Sequence, residues 1–263
     1  MRRILALSFA LLTAPPALAA TCGNTSSGFE TWKTQFAAEA ANAGVGAKGL
    51  AALAATSYAS KTIAADRNQK SFKYTLEKFM QVRGAPTIVK MGRARIAKNP
   101  SYYASLENRF GVPAEVIVAI HGMETAFGSN MGNANVLSAI STLAYDCRRS
   151  DFFSVHALAA LRLVDKGALS SATKGAMHGE VGHTQFLTGN IETYGIDGDG
   201  NGVVDLTNIS DGLASTAHFL AQKGWKPGQG YLEGQPNFSV IQAWNAAGVY
   251  QKAIAIMASQ IAQ

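Results

Sequence analysis

Apolar residues recur at three- and four-residue intervals along nearly the whole chain, while the two-residue alternation of a half-buried strand is almost absent. That period commits most of the chain to helices. It predicts helices over 29–43, 66–80, 86–98, 100–110, 113–127, 136–145, 152–166, 211–223 and 239–261, with one extended piece at 202–206 inside a glycine-rich loop. Residues 222–237, with their glycines and prolines, read as a surface loop beside a cleft. No internal repeat or low-complexity tract interrupts the pattern, so the expectation is one continuous, mainly α domain.

The first twenty residues differ from the rest. Arg2 and Arg3 precede an apolar run from Ile4 to Leu12, and small residues follow at Ala17, Ala19 and Ala20, the composition of a secretory signal peptide. Residues 21–263 are then the exported chain. Removing Arg2 and Arg3 lowers the formal net charge from +6 to +4. The basic residues are dispersed, which does not suit nucleic acid as a partner. No segment has the roughly twenty apolar residues of a membrane span. Lipid anchoring through Cys22 is disfavoured, because Thr21 stands where a small residue belongs. In an exported chain, Cys22 and Cys147 are best used as a disulfide.

Glu124 is the leading candidate for chemistry. Pro113 and Glu115 suit a helix start, and the spacing then puts Glu124 on the same stripe as Ile117 and Ile120, with Gly122 and Gly128 opening space beside it. A poorly solvated carboxyl resists ionisation, which is what a general acid needs near neutral pH. The competing reading is a surface glutamate.

Downstream lie YDCRRSDFF, GEVGHTQFLTGN, IDGDGNGVVDLTNISD and FSVIQAWNAAGVYQKAI. With the glutamate helix, their ET-x-x-G, RR, G-x-x-Q-F and W-N-x(4)-Y elements follow one order. From about Asp66 onward the chain resembles the membrane-bound lytic transglycosylase B type of murein lytic transglycosylase. The resemblance implies a lysozyme-like core over 111–263 behind a helical part at 21–110. It also implies cleavage of peptidoglycan between N-acetylmuramic acid and N-acetylglucosamine without water, the muramoyl 6-hydroxyl closing onto C1 to leave a 1,6-anhydro end. Glu124 matches the family's single acid and base. No cofactor is required, the partner is the glycan strand, the compartment is the periplasm, and a monomer suffices. A wall-binding protein without catalysis and a hydrolytic muramidase are the alternatives.

By the same resemblance Gln185 and Phe186 border the sugar site. Relatives carry a small hydroxyl residue where this chain has Ala176, and M-P-S-S where it has Leu187 to Asn190. Trp244, Asn245 and Tyr250 match an aromatic-asparagine-aromatic element, in which Trp244 serves either sugar stacking or the core. Tyr145 is a second candidate for stacking. Arg148 and Arg149, being adjacent, are expected to point apart, one toward a substrate carboxylate and the other toward Asp146 or Asp151. Glu180 is the rival carboxylate, with hydrogen bonding in the cleft wall its expected role.

Asp197, Asp199, Asn201 and Asp205 fall at loop positions 1, 3, 5 and 9, with Gly202 at position 6, the spacing of a calcium loop. Asn208 replaces the usual final glutamate. The family's longer loop implies closure by Asp211, with a carbonyl from Val203, so any calcium here is structural. His178 and His183 are five residues apart, one too many for paired zinc ligands on a helix face, and glycines stand between them.

Overall fold

The computed structural model of the protein describes residues 19–68 and 74–263; residues 1–18, most of the signal segment, and 69–73 lie outside them. The described residues form thirteen helices. They run as α1 (Phe29–Asn42), α2 (Ala47–Ala54), α3 (Ser60–Arg67), α4 (Leu76–Arg83), α5 (Ala85–Lys98), α6 (Pro100–Phe110) and α7 (Ala114–Thr125). After a short strand β1 (Ala134–Asn135) come α8 (Val136–Tyr145), α9 (Ser150–Asp165), β2 (Lys174–Gly175), α10 (Thr188–Tyr194), α11 (Ile209–Gln222), α12 (Phe238–Trp244) and α13 (Gly248–Ile261). The helical reading of the sequence therefore holds, and the strands pair antiparallel, Ala134 with Gly175 and Asn135 with Lys174.

Four local expectations need correction. The segment 66–80 is no single helix: α3 ends at Arg67, and Thr75 starts α4 by accepting the Lys78 N–H. Such a cap satisfies a backbone donor that a continuous helix would have paired internally. The segment 239–261 breaks between α12 and α13, where Asn245 is extended (φ −149°, ψ 117°) and its Oδ1 accepts the Ala247 N–H at 3.0 Å. This local side-chain bond competes with the helix. Residues 202–206 are turns, not a strand, because the backbone N–H groups of Gly202 and Val203 turn onto Asp197 and Asn201 side chains. Finally α2, α3 and α10, each of seven or eight residues, fall outside the expected set. They are too short to display a convincing period.

Helix α7 is the centre of the packing. From Val116 to Ile120 every residue is fully buried, so the helix is apolar all round rather than striped on one face. α13 packs across it and also touches α4 and α5, which joins the last helix of the chain to elements that precede α7. Gly122 gives no open space, contrary to expectation: a Cβ there would lie 2.5 Å from Ile88 Cγ2 and 2.8 Å from Phe127 Cζ. It is the point where α7 meets its neighbours most closely. After Glu124 the chain turns out through three successive left-handed residues, Ala126 (φ 48°), Phe127 (φ 62°) and Gly128 (φ 87°). The Arg95 guanidinium, 4.6 Å from the Phe127 ring centre, and the edge-on His121 ring hold that turn in place.

On the far side, Cys22 and Cys147 form a disulfide. The Gly23 N–H donates to Tyr145 O and the Cys147 N–H to Gly23 O, so the N-terminal segment is also stitched by backbone to the end of α8.

Candidate functional site

Glu124 stands in the last turn of α7, half-buried, where the helix reaches a cleft of about 550 Å³. Its Oε1 accepts two hydrogen bonds, from Trp244 Nε1 at 3.0 Å and from the Tyr250 hydroxyl at 2.5 Å. The break after α12 makes this possible: Trp244 ends one helix, Tyr250 lies in the first turn of the next, and both converge on a single oxygen. Desolvation pushes the Glu124 carboxyl above the usual carboxylate range, and the nearby Glu180 adds to the rise. The hydrogen bonds from Tyr250 and Trp244, and the Arg83 charge, work the other way. Tyr250, buried against that carboxylate, is held well above its ordinary value and stays a donor.

The floor of the cleft is aromatic. Phe186 is 2% exposed and meets Trp244 edge to face at 5.2 Å, and Phe219 meets the same indole at 5.3 Å. Gln185 lines the cleft from a left-handed position (φ 56°) unusual for a side-chain-bearing residue. The bridge between Val181 and Phe186 and the bond from Gln185 Nε2 to Gly182 O at 2.8 Å hold the turn. Its amide nitrogen is thus committed to backbone. Asn245 also lines the cleft. A second cavity of about 350 Å³ adjoins the first and shares Glu124, Ala176, Met177 and Gln185 with it. The acid therefore stands where two cavities meet.

Glu180 lines the same cleft, and its Oε2 accepts the His178 N–H at 3.2 Å while Oε1 lies 3.5 Å from His178 Nδ1. Behind Glu124, His121 Nε2 and His183 Nδ1 are 3.0 Å apart, and burial depresses both rings, His121 to about 3. Neutral imidazoles sharing one proton between facing nitrogens suit packing rather than metal binding. Thr125 locks the arrangement by donating to His183 O at 2.7 Å.

Three residues expected at the sugar site lie elsewhere. Tyr145 is 3% exposed, donates its hydroxyl to Thr25 O at 2.8 Å and packs among Phe29, Trp32 and Tyr58. Arg148 and Arg149 do not point apart. Both pair with Asp66, Arg149 Nη1 at 3.0 Å from its Oδ1, since a carboxylate has two oxygens to offer two forks. Asp146 pairs instead with Arg67, at 2.7 Å. Arg83, like Met177 and Phe219, is a cleft residue that the sequence pattern did not single out. It lies at the end of α4, far from any motif, and only the fold brings it to Glu124.

In the glycine-rich loop the carboxylates of Asp197, Asp199 and Asp211 offer oxygens within 4.8 Å of one another. Asp211 is fully buried, and its two oxygens accept the N–H groups of Gly198 and Asp205 at 2.9 and 2.7 Å. Backbone donors, the Gly202 N–H foremost, hold Asp197 below its usual range. Asn201 Oδ1 accepts the Val203 N–H. Three converging carboxylates form a set of hard oxygens that fits a divalent cation.

The profile of the transglycosylase SLT domain family matches residues 28–234. Over 137 residues the chain is 32% identical to membrane-bound lytic murein transglycosylase B of Escherichia coli; the match spans 49% of this chain and 38% of the relative. The fold is similar to SltB3 of Pseudomonas aeruginosa, solved in complex with NAG-anhNAM-pentapeptide. That similarity has a TM-score of 0.81 and 27% identity over 89% of this chain and 79% of the other. It also resembles the E. coli lytic transglycosylase Slt35, solved in complex with calcium, with a TM-score of 0.78 and 19% identity over 95% and 98%.

Proposed function

The chain belongs to the transglycosylase SLT domain family, and from that premise we propose that it cleaves peptidoglycan between N-acetylmuramic acid and N-acetylglucosamine by intramolecular transglycosylation. The observation that carries the reading is a single desolvated carboxyl, Glu124, fastened through one oxygen at the junction of two cavities. A strand crossing that junction has sugars on either side of the acid. Protonated Glu124 donates to the glycosidic oxygen as the C1–O bond breaks. The resulting carboxylate takes the proton of the muramoyl 6-hydroxyl as that oxygen bonds to C1, which returns the acid to its starting form. Both proton transfers fall to Oε2, because Oε1 is held by Tyr250 and Trp244. Those two donors also stabilise the intervening carboxylate. The substrate's acetamido group supports the oxocarbenium-like centre, so a second protein carboxylate at the usual glycosidase separation of about 5–9 Å has no role. Glu180, engaged with His178, supports the cleft wall. Gln185, Phe186, Trp244 and Asn245 form the sugar-facing surface, while Arg148 and Arg149 brace that wall through Asp66.

The protein acts in the periplasm as a monomer. In support stand the signal-type composition of residues 1–20 and the disulfide; no helix among the described residues is long and apolar enough to cross a membrane. Asp197, Asp199, Asn201, the Val203 carbonyl and Asp211 would hold calcium, which would supply cross-linking of the loop and no chemistry. Mass spectrometry of digested peptidoglycan tests the reaction. Fragments lighter by one water than hydrolysed ones, with anhydro ends, are expected; reducing ends would make the protein a hydrolase, and intact strands a binding protein.

A further inference from the structure

Arg83 is the last residue of α4, and Gly84 (φ 69°) turns the chain sharply away behind it. The side chain lines the same cleft as Glu124. It lies with its guanidinium carbon 5.2 Å from the ring centre of Phe79, which is 1% exposed and meets Tyr250 edge-on at 6.2 Å. The platform beneath the guanidinium is therefore continuous with the tyrosine that holds Glu124.

Among the described residues, which include every aspartate and glutamate of the chain, Arg83 forms no ion pair, and the acid on which its charge acts is Glu124 in the same cleft. Other arginines near the cleft wall are already occupied: Arg148 and Arg149 by Asp66, Arg67 by Asp146. Among the described residues lining the cleft, Glu124 and Glu180 are acids and His178 sits beside Glu180 and Asp66, so Arg83 is the permanent cation facing that space. A guanidinium resting on an aromatic face keeps its outer edge free for a planar, two-oxygen anion.

We infer that Arg83 is a specificity-determining residue that receives a carboxylate of the substrate strand beside the bond to be cut. The inference rests on the peptidoglycan reading above and names the substrate feature that this cleft selects. Two sources offer that group: the stem peptide, and the lactyl carboxylate exposed where the peptide has been removed. A neutral glycan offers neither.

The test measures kcat/KM for wild type, Arg83→Gln and Arg83→Lys on three strands: native with stem peptides, stripped by an amidase, and stripped with every carboxyl converted to carboxamide. Melting temperatures confirm that the variants are folded. Losing a charge-assisted pair at a partly exposed site costs roughly tenfold. Arg83→Gln removes a charge that also acts on Glu124, so a change common to all three strands is expected; beyond it, strands carrying the recognised carboxylate should lose that further factor, mainly through KM, relative to the carboxamide strand, with Arg83→Lys recovering part of it. Further loss on native strands alone assigns the stem peptide, and further loss on stripped strands alone assigns the lactyl group. An equal loss on all three, with a displaced pH profile, would overturn the inference by showing that Arg83 acts only through Glu124. Unchanged kinetics on every strand would overturn it as well. A wild type inert on all three removes the functional reading itself, an outcome distinct from either.

Discussion

Glu124 was legible in the sequence as a carboxyl in an apolar neighbourhood, but its environment is more enclosed than one stripe implies, because α7 is buried all round. Glu124→Gln is expected to keep the fold and lower turnover by at least about 10²–10⁴-fold, since an amide cannot deliver a proton. Release of anhydro ends by the purified variant, at more than a tenth of the wild-type rate, would move the acid's role to Glu180. The same substitution has a signature in stability. The folded carboxyl binds its proton more tightly than the unfolded one, so wild type loses stability as pH rises from the ordinary carboxylate value of 4.5 through the raised one. The amide does not titrate. The variant's melting temperature should therefore gain on wild type as pH climbs, with the smallest advantage below that range; a difference independent of pH would contradict the desolvated acid. Tyr250→Phe removes a donor that favours the carboxylate, so the basic limb of the pH–rate profile should move to higher pH while kcat falls. A limb moving to lower pH would show that Tyr250 does something other than hold Oε1. Arg83, in contrast, was invisible in the sequence, because nothing local distinguishes it from a solvated arginine at a helix end.

Helices form where the period is clear, and a long periodic segment breaks where a side chain bonds its own backbone. Asn245 is the clearest case: on periodicity alone 239–261 is one helix, yet one amide oxygen taking the Ala247 N–H splits it. Without that split, Trp244 and Tyr250 could not approach one carboxyl oxygen from two helices. The glycine-rich loop shows the same effect, its expected extended piece replaced by N–H groups folded onto Asp197, Asp199 and Asn201. Asp197 and Asp199 converge with Asp211, the residue the family resemblance implied, while Asp205, which the spacing alone offered, stands outside the group and accepts from Thr207. Calcium is expected to bind here with a dissociation constant of about 10⁻⁴–10⁻³ M, the weak range for loops lacking the bidentate glutamate. At a hundredfold excess over that constant it should add about 2.7 kcal/mol of stability. Calorimetry with calcium and with chelator measures this, and replacing Asp197 and Asp199 together by Asn should abolish the gain while sparing turnover at a temperature where both proteins are folded. A melting temperature indifferent to calcium would leave the loop as an acidic turn.

Across the whole molecule, the helical class and the pairing of Cys22 with Cys147 are legible in the residues, but which distant elements meet is not. The disulfide closes a loop of 125 residues. Such closure restricts the unfolded chain, so Cys22→Ser with Cys147→Ser is expected to cost about 2–4 kcal/mol, or roughly 4–16 °C in melting temperature for a chain of this size. Activity at low temperature should persist, because the bridge lies at the N-terminal joint; prompt loss of activity on reduction of the folded protein would show that the joint also shapes the cleft. The seating of α13 on α4, α5 and α7 has a different outcome. In a chain delivered N-terminus first, Glu124 emerges well before Trp244 and Tyr250, which fasten it, and those bonds form only when the final helices dock. Under the proposed function, the acid is therefore complete only once the last segment of the chain has folded back onto the earlier helices.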